Sequence, residues 1–225
     1  MTTSSERARE RRELRAARRG DRDGSGPTLD ERAPARFPGA TAKFGLLGEV
    51  LMTGLLVTLV AVPVITLPVA LAAGIRHLRR FVRAEGSHLS AFWSDVRRGL
   101  AGGALLGLAV LVLTGLFALD IDLAASGALP GGPVIAVVGW AGLAALAIAV
   151  LTAAGAWTPE TGWRGAIGAV PALVRRDVPG ALYLAATAAF VVVVTWALVP
   201  LVIPALGCAA LAVVAVPERP RRHAG

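Results

Sequence analysis

An all-α, polytopic membrane protein with about six hydrophobic segments and proline-broken terminal hairpins is the fold this sequence predicts. Three observations carry that expectation. Hydrophobic residues fill 55% of the 225 positions, charged residues only 17%, and mean hydropathy is +0.65. Two apolar runs, 45–74 and 181–216, exceed the roughly 20 residues needed to cross a hydrocarbon core about 30 Å thick. Basic residues flank these stretches in the N-terminal tail and at 76–98, 164–176 and 219–223, whereas the connector 120–132 contains no Arg, Lys or His. Cytoplasmic loops collect Arg and Lys, so this distribution threads the chain with both termini cytoplasmic and 120–132 on the far side.

Residues 1–42 hold ten Arg, seven Asp or Glu and almost no large apolar side chain. With no face to bury, this basic tail is expected to be disordered. It does not resemble a cleavable signal peptide, because the first apolar stretch lies far from Met1 and is too long for an h-region. Its arginines suit anionic lipid headgroups, although the interspersed acids oppose that contact. The helical transmembrane domain runs over 43–217, and 218–225 forms a second basic tail.

The first apolar stretch, 44–74, would be about 46 Å long as one helix, too long for an upright span. Pro63 and Pro68 break it, since each lacks a backbone donor and obstructs the preceding turn. Residues 45–62 then lead outward, and the chain returns from 69 to about 84 as a short or tilted leg whose arginines snorkel to the headgroups. A single crossing would instead invert the charge pattern. Ser87 or Ser90 caps the next helix, whose apolar face of Leu89, Phe92, Trp93 and Val96 supplies Phe92 and Trp93 as interfacial anchors. Residues 99–119 cross outward and 133–157 cross back. A second interfacial helix follows, with Trp163 as its anchor and Ile167, Val170 and Val174 at helical spacing. Finally 181–199 leads out, Pro200 and Pro204 turn the chain, and 205–216 returns.

The two proline breaks and the paired Val96-Arg97-Arg98 and Val174-Arg175-Arg176 motifs echo each other. Either an internal repeat of the kind found in transporters or the ordinary need for turns accounts for this. The basic clusters Arg79, Arg80, Arg83, Arg97, Arg98, Arg175 and Arg176 belong to the cytoplasmic face. Lys43 is the only lysine among 23 basic residues, which fits a GC-rich bacterial coding bias. Net charge is +8, but positive-inside anchoring explains it, so no nucleic-acid partner is expected.

Glu49 is the only carboxylate in an expected span. An ionisable group inside a bilayer is a functional candidate by default. Close to Lys43 and the cytoplasmic end, it either reaches the interface or pairs with a connector arginine, or it handles a proton, ion or ligand. Gly99, Gly103 and Gly107 share one helix face and invite close packing, within the chain or across a dimer. Asp120 and Asp122 are too few for a metal cage. His77, His88 and His223 have no Cys or carboxylate at ligand spacing. Cys208 is expected to be a small packing residue. No catalytic or metal-binding constellation is recognisable, and neither an enzyme nor a cofactor is expected.

The stretch Pro68-Val69-Ala70-Leu71-Ala72-Ala73, then Arg79-Arg80-Phe81-Val82-Arg83-Ala84-Glu85-Gly86, then Phe92-Trp93 resembles the YesL-like family of small bacterial membrane proteins. The resemblance covers about 44–216 in layout, with its distinctive residues at 68–93. It implies a multi-pass inner-membrane protein whose family activity is not established and whose members are often associated with carbohydrate uptake. It carries over no catalytic residue. The lipid bilayer and components of a sugar importer are the expected partners, reached through the connectors 76–98 and 162–176. A small transporter using the broken helices and Glu49 is the alternative.

Overall fold

The computed structural model describes residues 43–86, 88–127 and 131–219. The tail 1–42 and most of 218–225 lie outside the described residues. Long apolar runs interrupted by Pro and Gly form α1 Lys43–Ala61, α2 Leu67–Val82, α3 Leu89–Ala125, α4 Gly132–Ala156, α5 Gly162–Arg176, α6 Val178–Ala197 and α7 Val202–Ala215. Short 3₁₀ turns, Val199–Leu201 and Val216–Glu218, bracket α7. There is no strand among the described residues.

Five helical stretches are long and apolar enough to cross a membrane: Phe44–Ala61, Leu89–Ala125, Gly132–Ala156, Val178–Ala197 and Val199–Glu218. The fold is all-α and polytopic, with five such helices rather than the six segments expected. The segment that drops out is α2. Its 16 residues rise only about 24 Å and include Arg76, His77, Arg79 and Arg80.

That helix is nonetheless the centre of the molecule. Pro68 through Ile75 are all buried, as are His77, Leu78 and Val82. Ala70, Ala72, Ala73 and Gly74 keep its surface narrow, so α1, α3, α4 and α7 all touch it. It runs back along α1, with Gly74 against Val57 and Thr53 and His77 opposite Glu49. The snorkelling expected of its arginines is not what they do. Arg76 and Arg80 turn onto Asp95 of α3, and Arg79 turns onto the Gly155 carbonyl of α4. Inside an apolar bundle a guanidinium gains more from a fixed acceptor than its stem gains from stretching.

The prolines expected to break helices sit at turns and helix starts, whereas Pro171 lies inside α5. Pro63 follows α1, where Val64 adopts φ 57°, a strained conformation for a β-branched residue. The Thr66 hydroxyl donates to the Val60 carbonyl and ties this turn. Pro68 and Pro204 fall in the first turns of α2 and α7, where a missing N–H leaves no helical bond unmade, and Pro200 lies in a 3₁₀ turn.

At its start, α3 also departs from expectation. His88 precedes it without a side-chain cap, Ser90 lies inside its first turn, and Ser87 lies outside the described residues. The expected interfacial helix and the following span are one 37-residue helix, about 55 Å long. It continues through Asp120 and Asp122, so the acidic connector is helical as far as Ala125. No residue of α3 beyond Gly107 is buried. That outer half zips onto α4 through Phe117 and Ile121, which lie against Gly139 and Gly142.

The first and last helices close the bundle. Gly54 of α1 meets the Ile203 backbone, and Gly207 of α7 meets the Val50 backbone. Two glycines facing opposite backbones let these helices approach more closely than any side chain allows.

Candidate functional site

The polar groups of the described core gather around the second half of α2. Glu49 and Thr53 are four residues apart on one face of α1, and the antiparallel hairpin brings His77 opposite them. His77 Nε2 lies 2.7 Å from Glu49 Oε1, with the imidazole 1% and the carboxylate 19% exposed. Phe92 of α3 closes the other side, edge-on to the imidazole at 6.2 Å between ring centroids. His77 Nδ1 and Thr53 Oγ1 are buried and have no hydrogen-bond partner among the described residues.

With Glu49 ionised, Nε2 carries the proton and donates to the carboxylate, leaving Nδ1 as an unused acceptor. With Glu49 protonated, its hydroxyl donates to Nε2 and the ring proton moves to Nδ1. These two forms differ by one added proton, and neither requires a change of heavy-atom position.

One turn further along α2, Asp95 accepts from Arg80 Nη2 at 2.7 Å and from Arg76 Nε at 3.1 Å. The Asp95 side chain is 4% exposed and the arginines are about one-fifth exposed. Two guanidiniums against one carboxylate leave the cluster one charge positive. Arg76 also lies over Trp157, 5.8 Å from the ring centroid, and Trp157 stacks on Trp163 at 5.7 Å. The Trp163 indole N–H donates to the Gly99 carbonyl at 2.8 Å.

At the far edge Asp177 starts α6 by accepting from the Gly180 N–H, and it binds Arg219 through two hydrogen bonds. These bonds hold the Arg219 guanidinium above its ordinary range. In the α4–α5 connector the Thr158 hydroxyl does the opposite for Glu160, keeping its exposed carboxyl below the usual carboxylate range.

These positions correct several expectations. Glu49 pairs with His77 rather than with a connector arginine, and the Lys43 side chain lies outside what is described. Phe92 and Trp163 are buried in the core rather than set at a headgroup surface, while Trp93 is exposed. Their ring areas are worth more against α2 and Trp157 than at a half-wet interface. Arg97, Arg98, Arg175 and Arg176 are exposed, and Arg83 reaches Glu85 only at 3.9 Å. Cys208 is exposed on α7 rather than packed. Gly99, Gly103 and Gly107 are filled from within the chain, by Trp157, Val69, Trp163 and the Ile65 backbone.

Sequence reasoning misses His77 and Asp95 as site residues. A hairpin folded about residues 63–64 places position 49 opposite 77–79, and that register is the available signal for His77. Asp95 lies on the helical face of Phe92 and Gly99 and can be read from that spacing. Among the described residues no three of His, Cys, Asp and Glu come together. No family model, curated protein or solved structure matches this chain.

Proposed function

We propose that this chain is a multi-pass protein of a bacterial inner membrane, with both termini cytoplasmic, that docks to and steadies another membrane complex and is not an enzyme. The observation that carries the reading is the outer half of α3 with its partner α4. Leu108, Leu111, Val112, Leu116 and Leu119 are exposed there, and α4 adds Val134, Val137 and Trp140. This arm offers a tall apolar flank to lipid or to foreign helices. The interior supports the same reading, because Glu49, His77, Asp95, Arg76 and Arg80 are spent on one another.

The resemblance of residues 68–93 to the YesL-like family favours a carbohydrate importer as the docked complex. The test places a photo-crosslinking residue at Val112 or Leu116 of the full chain in intact cells. Adducts with a defined membrane protein, absent when the probe sits at Phe190 of α6, support docking. Adducts with lipid alone at both arm positions, together with no partner after mild-detergent purification, overturn it.

A second reading rests on the Glu49–His77 contact. A buried carboxylate–imidazole contact with an unpartnered Nδ1 beside it suits a proton or ion pathway through α1 and α2. Flux in liposomes containing the purified chain alone, abolished by Glu49→Gln, supports that reading. Flux that is absent, or unchanged by the substitution, removes it.

A further inference from the structure

A cleft of about 350 Å³ opens where the ends of α2, α4, α5, α6 and α7 meet, with α2 and α5 carrying arginines in their last turns. Its wall is apolar, from Ala156, Leu173, Leu184, Val213 and Val216, and Arg79 and Arg176 supply its positive groups. Asp177 also lines it, but that carboxylate already holds Arg219 through two hydrogen bonds. Arg79 is different. Its hydrogen bond goes to the neutral Gly155 carbonyl at 3.2 Å. Glu218 attracts it only from a distance, and burial with the neighbouring Arg83 and Arg76 outweighs that pull. A half-buried guanidinium without a contacting counter-charge is costly. The other α2 arginines at this depth, Arg76 and Arg80, both have Asp95.

The position of the cleft adds a second constraint. The membrane-crossing stretch of α4 stops at Ala156, that of α6 begins at Val178, and the last ends at Glu218. The cleft is therefore level with the ends of the spans, where headgroups lie. Basic pockets between helix ends at that depth suit phosphate-bearing headgroups.

We propose that this cleft binds one anionic phospholipid, its phosphate against Arg79 and Arg176 and one acyl chain along Leu184, Val213 and Val216. The phosphate supplies the missing counter-charge, and the chain covers wall residues that would otherwise meet water at the headgroup level. Unlike bulk lipid, this molecule is held by position and is exchanged slowly.

The full chain in a neutral-headgroup detergent tests it by titration with phosphatidylglycerol, phosphatidylcholine of the same acyl chains, and inorganic phosphate. Phosphatidylglycerol is expected to raise the melting temperature and to leave one lipid per chain in native mass spectra. The other two are expected to do neither. Arg79→Gln should weaken retention by about ten-fold, since a charged hydrogen bond is lost. Arg176→Gln weakens it less, and Arg175→Gln, outside the cleft, leaves it unchanged. Equal stabilisation by phosphatidylcholine overturns the proposal, as does an equal effect of inorganic phosphate, which marks a free-anion site. If Arg79→Gln does not fold, retention by Arg176→Gln decides, and a value equal to that of Arg175→Gln overturns the assignment.

Discussion

Asp95 does at residue scale what no other side chain in the described core does, since it alone neutralises two arginines of the central helix. Asp95→Asn keeps the shape and removes the charge, leaving Arg76 and Arg80 together in an apolar setting. Breaking a buried ion pair from one side costs about 3–5 kcal/mol, and partial exposure of the arginines puts this site at the low end, about 3 kcal/mol. Thermal unfolding in detergent should show that loss, whereas Arg97→Gln, on the exposed face, should leave the midpoint within a degree or so. Glu160 gives a smaller, pH-linked effect. Its carboxyl is held below the ordinary range chiefly by the Thr158 hydroxyl, so the fold favours the ionised form. That contribution is present above the ordinary glutamate value of about 4.3 and is lost as pH falls through the lowered value. Amide exchange over 158–162 should therefore quicken only in acid, and Glu160→Gln should abolish the dependence.

At the scale of elements, packing rests on glycine where helices touch backbone to backbone. A methyl group at Gly54 collides with the Ile203 carbonyl, and one at Gly107 with the Ile65 carbonyl. Neither neighbour is a flexible side chain that can move aside. Gly54→Ala and Gly107→Ala should each destabilise by about 1–3 kcal/mol, as overpacking does. Gly48→Ala, with open space around it, should not. Lower thermal midpoints in the first two variants and an unchanged one in the third check this. The Gly99, Gly103 and Gly107 stripe was legible from spacing alone, because period and residue size suffice to mark a close contact. What fills it was not legible, since Trp163 comes from a helix more than 50 residues later. The fate of α2 was hidden for a similar reason. Its composition gives an amphipathic leg in any setting, and only the acceptors on α3 and α4 decide that its arginines turn inward.

For the molecule as a whole, hydropathy and charge distribution were enough to read a helical, multi-pass architecture and the positions of both hairpin turns. They counted one crossing segment too many, because residues 67–82 are short and charged and are enclosed by neighbours that shield them from lipid. The threading makes a concrete expectation. With Cys208 replaced by Ser, single cysteines at Ser126 and at Arg175 should react with a membrane-impermeant thiol reagent from opposite faces of sealed vesicles. Labelling of both from one face would refute the arrangement of basic ends on a common side.

The contact between α1 and α7 has a consequence for biogenesis. The Gly54 face of α1, which leaves the ribosome early, is completed only by α7, the seventh helix of the described residues. Until residues 202–215 are inserted, that flank must be tolerated by lipid or guarded by the insertion machinery. A nascent chain stalled before Val202 therefore displays an unfinished seam, which gives quality-control proteases a simple physical mark of incomplete synthesis.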